Sequence, residues 1–179
     1  VESIFTAEEI KMHDGAFEFV RRFSTDELLT VIEIGSRDIN GSVRPFFPNA
    51  SWIGIDVAAG PGVDIVIDAI DYSPECQVDL VICTEVLEHT DMWCQIISRA
   101  ETWIKPGGRI IITCAGTGRL PHSAVDGGPL QAGEHYANIT HEQLAAEFQN
   151  GGFTDIYTEC NQEWKDSCAV ATKANEYVS

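Results

Sequence analysis

Basic residues are scarce in this chain. Eleven Lys and Arg stand against 28 Asp and Glu, a formal net charge of −17 at pH 7, and such a surface repels a phosphate backbone or an anionic membrane at long range. Neither nucleic acid nor a membrane is expected as a partner. Long apolar runs are missing too: Val78 to Cys83, with Asp79 inside it, falls well short of the ~20 residues a helix needs to cross a bilayer. The opening Val1-Glu2-Ser3-Ile4-Phe5 has neither the basic nor the apolar region of a signal peptide. The six cysteines (Cys76, Cys83, Cys94, Cys114, Cys160 and Cys168) include no C-x-x-C pair, so structural zinc is disfavoured, and Cys83 and Cys114 sit in apolar runs typical of buried thiols. A reduced, cytoplasmic setting is the expectation. Repeats, low-complexity tracts and Pro/Gly/Ser linkers are also lacking, so nothing divides the chain.

What is present is an ordinary globular composition. The chain has 179 residues, 44% hydrophobic and 22% charged, which suits one domain over residues 1–179. Short runs rich in Val and Ile predict strands at Leu29 to Ile34, Trp52 to Val57, Val63 to Ile67, Val78 to Cys83, Arg109 to Cys114, Phe153 to Glu159 and Cys168 to Thr172. In the first five, apolar side chains occupy successive positions, the mark of strands buried on both faces of a parallel sheet. Helices are predicted over Ala7 to Phe23 (an N-terminal helical segment within residues 1–25), Gly41 to Phe47, Asp91 to Ile104, and from Thr140 to Gly151, where Thr140 and Gln143 form a capping-box pattern. The last two strands are spaced as a hairpin. The expected fold is a Rossmann-like, doubly wound α/β sheet of seven strands, mostly parallel, with an antiparallel edge strand.

Such sheets bind ligands beyond the carboxyl ends of their strands. The first strand carries Glu33, a carboxylate that must find a partner if buried, followed by Gly35 and Ser36. A dinucleotide fingerprint would read G-x-G-x-x-G, but Arg37 follows Ser36 and the next glycine is Gly41, so a nicotinamide-dependent oxidoreductase is disfavoured. Arg37 could bind a ligand carboxylate or cap the loop. Asp56 and Val57 close the second strand, where a carboxylate can accept from a ribose diol, and Asp68-Ala69 close the third. Each acid has a plain alternative as a turn or cap residue.

Taken in order, Glu33-x-Gly35, Asp56, Asp68-Ala69, Asp79 to His89, and Lys105-Pro106-Gly107-Gly108 resemble the class I S-adenosylmethionine-dependent methyltransferases, in particular members acting on small molecules, over roughly Leu29 to Thr172. The resemblance implies S-adenosyl-L-methionine as cofactor. It places Glu33, Gly35 and Ser36, with Arg37 beside them, along the methionine portion, Asp56 and Val57 at the ribose, Asp68 and Ala69 at adenine, and Thr84 and Glu85 at the reactive methyl. It implies methyl transfer to a small-molecule acceptor, expected at oxygen, by in-line displacement; a homodimer is left open. The competing reading is a catalytically silent module that binds the cofactor without turnover.

Residues 115–139 lack strand or helix periodicity and follow the fifth strand, as an acceptor-side loop would. His122, Asp126 and His135 are its candidates for proton removal, with Tyr136 beside them; exposed loop histidines are the plain alternative. Glu85, Glu88 and His89 share helical spacing and make a chemically reasonable divalent-metal site, but the same letters commonly start a helix, and a metal is disfavoured. Trp52, Trp93, Trp103 and Trp164 read as packing residues.

Overall fold

The computed structural model describes residues 14–175. Seven strands form one sheet: β1 (Thr30–Ile34), β2 (Ser51–Asp56), β3 (Ile65–Val66), β4 (Val78–Thr84), β5 (Ile104–Ala115), β6 (Phe153–Asn161) and β7 (Asp166–Lys173). Their order is β3-β2-β1-β4-β5-β7-β6. All neighbours from β3 to β5 pair in parallel, whereas β7 runs antiparallel to both β5 and β6. The expected hairpin therefore lies at that edge, and its inner strand is the reversed one.

Strand periodicity divides the core in two. Val31, Leu80, Ile82, Ile111 and Val170 face one side, where they pack with Phe19 and Val20 of helix α1 (Asp14–Arg21) and with Val43 and Phe47. Ile32, Ile34, Val81, Cys83, Ile110 and Ile112 face the other, against Ile96, Ile97, Ala100 and Trp103 of α2 (Trp93–Trp103) and Leu144 and Phe148 of α3 (His141–Asn150). Coverage on both faces explains why the parallel strands are apolar at consecutive positions. The N-terminal half of the helix expected over Ala7 to Phe23, with Ile10, lies outside the described residues.

One expected helix does not form. Over Gly41 to Phe47 only a single 3-10 turn, Arg44–Phe46, is present. Gly41 takes a left-handed φ of 127° and its N–H donates to Asp38 Oδ1 at 2.8 Å, closing a turn where a helix would begin. Pro48 then bars continuation by pushing Phe47 out of the helical region, and Phe47 sits at φ −133°. The predicted capping box on α3 is present in both directions: Gln143 N–H donates to Thr140 Oγ1 at 3.2 Å and Thr140 N–H to Gln143 Oε1 at 2.8 Å. Among the described residues no helix is long and apolar enough to cross a membrane.

Candidate active site

Strand order reverses between β1 and β4, which opens a crevice beyond their carboxyl ends. Glu33, on β1, is buried and pairs with Arg44 Nε at 2.8 Å. Burial raises its pKa while Arg44 pulls the other way. Arg44 also donates to the Gly62 carbonyl at 2.6 Å, so Glu33 ties the first strand to the turn after the second instead of standing free. Gly35 has a φ of 72°, and a Cβ there would lie 2.0 Å from Val86 Cγ2. Only glycine can carry the chain through that point.

The loop beyond it is knitted together by short-range bonds. Gly35 N–H and Ser36 N–H both donate to Ile55 O, at 2.9 and 3.1 Å. Ser36 is buried and its Oγ has no partner among the described residues. Asp56 accepts from Arg37 N–H at 3.3 Å through one oxygen and from Ala58 N–H at 2.8 Å through the other. Val57, next along, is 73% exposed. Asp68 is exposed and accepts from Ile70 N–H at 3.0 Å, with Ala69 buried behind it. The Arg37 side chain reaches away from its own loop: its Nη2 lies 3.3 Å from the carbonyls of both Ala124 and Val125. It caps the acceptor-side loop, not the glycine loop for which a cap is expected.

Thr84 is buried at the end of β4, and Glu85 follows in a left-handed conformation with φ 57°. That backbone costs a non-glycine residue about 1–2 kcal/mol, and it aims the Glu85 carboxylate inward. Thr113 Oγ1 donates to it at 3.1 Å, and Arg119 Nη1 lies 2.5 Å from both Glu85 Oε2 and Asp166 Oδ1. One guanidinium cannot neutralise two carboxylates fully, so Asp166, raised first by burial and then by Glu85, takes up a proton more readily than a free aspartate. Neither Arg119 nor Asp166 was picked out from sequence. Arg119 is the sole Lys or Arg in residues 115–139, which was the available signal; Asp166 gave none.

A second cluster forms where the turn Leu87–His89 meets the acceptor-side loop. Glu88 is fully buried; its Oε1 accepts from Ala115 N–H at 3.1 Å and its main-chain carbonyl from Ala137 N–H at 2.9 Å. It thus holds both ends of the loop. Burial, then the nearby Glu85 charge, raises its pKa. The rings of His89, His122 and Tyr136 pack edge to face, with centroids 5.0–5.6 Å apart. Burial and the neighbouring His122 lower the His89 pKa to about 4, so its imidazole is neutral at pH 7.

Of the expected proton acceptors, only His122 joins this cluster. Asp126 is exposed and accepts from Gly128 N–H at 2.9 Å inside its own turn, and His135 is exposed; their side chains serve the loop surface. The metal set that spacing allows, and that the sequence disfavours, is likewise rearranged. Ligating atoms of Glu88, His89 and His122 lie within 4.8 Å of one another, while Glu85 is turned toward Thr113 and Arg119 because its left-handed backbone takes it off the helical face assumed for it.

The sequence profile described as "Methyltransferase domain" matches residues 9–158. The chain belongs to that family. It is a class I S-adenosylmethionine-dependent methyltransferase. Solved structures with this fold include 1,6-didemethyltoxoflavin-N1-methyltransferase of Burkholderia thailandensis, with 1,6-didemethyltoxoflavin and S-adenosylhomocysteine bound (15% identity, 98% of this chain and 94% of that one, TM-score 0.67). The N-methyltransferase NodS of Bradyrhizobium japonicum, in complex with S-adenosylhomocysteine, is also similar (17%, 94% and 90%, TM-score 0.62). Against phosphoethanolamine N-methyltransferase 2 of Haemonchus contortus (17%, TM-score 0.66) the match covers 91% of this chain and 53% of the other. No curated protein matches the sequence. The residues of this methyltransferase fit the cofactor: the glycine turn that excludes any Cβ, the Ser36 hydroxyl without a partner among the described residues and the backbone-held carboxylate of Asp56 all lie at the carboxyl ends of β1 and β2.

Proposed function

We propose that this methyltransferase acts on an oxygen of a small-molecule acceptor. Glu33, Gly35, Ser36, Arg37, Asp56, Val57, Asp68, Ala69, Thr84 and Glu85 are assigned to the cofactor side. S-adenosylmethionine, when bound, supplies a methyl group on an already positive sulfur, so the chain's own work is chiefly to position the acceptor and exclude water. An oxygen nucleophile must also shed its proton. The observation that carries the oxygen assignment is the His89 imidazole, its Nδ1 buried without a partner among the described residues and its ring packed on that of His122 in the turn after β4. His89, with His122, receives that proton. Small size suits the acceptor because the loop's own His122 and Tyr136 rings already pack against His89.

Calorimetric titration with S-adenosylmethionine and S-adenosylhomocysteine tests the cofactor side, and binding of neither overturns the assignment. With an acceptor identified, mass spectrometry of the product distinguishes a methyl ether from a methylamine. His89→Gln is expected to lower kcat by about 10²–10⁴-fold while leaving S-adenosylhomocysteine affinity in place. A kcat within twofold of the parent removes His89 as the base.

A further inference from the structure

We infer that residues 116–138 roof the cofactor crevice itself, and that Arg37 is the positioning residue that latches this roof shut; this rests on the reading of the crevice as the cofactor site. The course of the loop carries the inference. The chain leaves β5 at Ala115 and passes the end of β4, where Arg119 meets Glu85 and the His122 ring meets that of His89. It reaches the loop after β1, where the carbonyls of Ala124 and Val125 accept from Arg37 Nη2. Then it returns: Ala137 N–H donates to the Glu88 carbonyl and Ile139 N–H to the Ala115 carbonyl, both at 2.9 Å. In the strand order β1-β4-β5, a segment rooted on β5 and fastened beyond β1 crosses two strand spacings, about 10 Å. It therefore lies over the opening between β1 and β4.

The far part of the loop is one unit with one fastening. Ser123 N–H donates to the Gly128 carbonyl at 2.8 Å and Gly127 N–H to the Ser123 carbonyl at 2.9 Å. The buried Ser123 Oγ accepts from Val125 N–H and donates to Glu134 Oε1 at 2.7 Å, and Gln131 N–H donates to Glu134 Oε2 at 2.7 Å. Among the described residues, only Arg37 ties residues 123–134 by hydrogen bonds to the rest of the molecule; the other hydrogen bonds of that stretch close within it. The Arg37 stem packs on Gly60, in the turn after β2, where a Cβ would come 2.6 Å from Arg37 Cγ and push the stem aside. Hydrogen bonds to two carbonyls hold the tip down and still open on the microsecond-to-millisecond scale of enzyme loops. Cofactor entry and departure of the spent nucleoside use the same opening, so the latch sets the rate of both and changes the affinity of neither.

The rival role is a direct bond from Arg37 Nε, buried without a partner among the described residues, to the carboxylate on the nucleoside's amino-acid arm. Kinetics separate the two. Association and dissociation of S-adenosylhomocysteine, and of 5′-methylthioadenosine, which lacks that carboxylate, are followed by surface plasmon resonance on the full chain and on Arg37→Met, which keeps the stem and loses the donors. Both rate constants are expected to rise together by about tenfold for both nucleosides, leaving each Kd within about threefold. Ser123→Ala leaves Arg37 whole and loosens the tip from inside; it is expected to raise the same two rates by about threefold. A rise in dissociation alone, or an effect confined to S-adenosylhomocysteine, reveals the direct bond and overturns the inference. Unchanged rates in either variant also overturn it. Each of those outcomes leaves the cofactor assignment standing, whereas failure of S-adenosylhomocysteine to bind the parent chain removes that assignment and the latch with it.

Discussion

At the scale of single residues, the site depends on backbone conformations that few side chains tolerate. Gly35 holds a φ of 72° with Val86 pressed against the place its Cβ would occupy. Gly35→Ala is expected to cost about 1–2 kcal/mol from the left-handed backbone alone, plus the displacement of Val86. Its signature is a lowered melting temperature together with at least tenfold weaker S-adenosylhomocysteine binding by calorimetry; wild-type affinity would show that this turn does not shape the pocket. Glu85 has the same strain without being glycine, and non-glycine residues held there concentrate at functional sites. Sequence reading placed Glu85 correctly after β4 but could not foresee its φ of 57°. That angle turns the carboxylate to Arg119 and breaks the i, i+3, i+4 pattern on which the disfavoured metal site rests.

Elements were legible where local chemistry is sufficient. The Thr140–Gln143 capping box forms because its partners are three residues apart and depend on nothing distant. Thr140→Ala is expected to destabilise the protein by about 1 kcal/mol, measured as a lower urea midpoint at unchanged slope. The stretch Gly41 to Phe47 misled because Pro45 is welcome in a first helical turn while Pro48 and the left-handed Gly41 forbid a second. The acceptor-side loop was legible only as irregular. Its anchors come from afar: Arg37 holds Ala124 and Val125, 87 and 88 residues on, and Glu88 holds Ala115 and Ala137. Removing the Arg37 bonds, each worth about 0.5–1.5 kcal/mol, is expected to free the loop more often. Arg37→Ala should be cut within residues 116–138 roughly tenfold faster in limited proteolysis; an unchanged rate would show that the loop is held by its ends alone.

Over the whole molecule, buried carboxyls and surface ion pairs pull stability in opposite directions with pH. Glu88 and Asp166 have raised pKa values in the folded state, so the fold binds protons that the unfolded chain has lost. Their contribution is full below the unfolded carboxyl pKa and declines as pH rises toward the folded values. Asp79 is the reverse case. Burial would raise it, but Lys105 and the two Thr30 bonds prevail and lower it to about 2; that contribution is present above the unfolded pKa of about 4 and is lost as pH falls toward 2. The melting temperature is therefore expected to be higher at about pH 6 than at about pH 8.5, and to fall again below about pH 4. A melting temperature that rises steadily from pH 6 to 8.5 would contradict the assignment of buried, proton-binding Glu88 and Asp166. By itself the sequence determined the two-faced parallel sheet, its reversed hairpin, the order of acids at the strand ends and the family they belong to, because strand burial and turn chemistry are written in neighbouring residues. Only the tertiary structure decided which side chains meet across the crevice: Glu33 with Arg44, Arg119 with Glu85 and Asp166, and His122 with His89 and Tyr136. Those meetings join segments far apart in the chain. Their geometry follows from how the sheet and the long loop close in space, which no local pattern encodes.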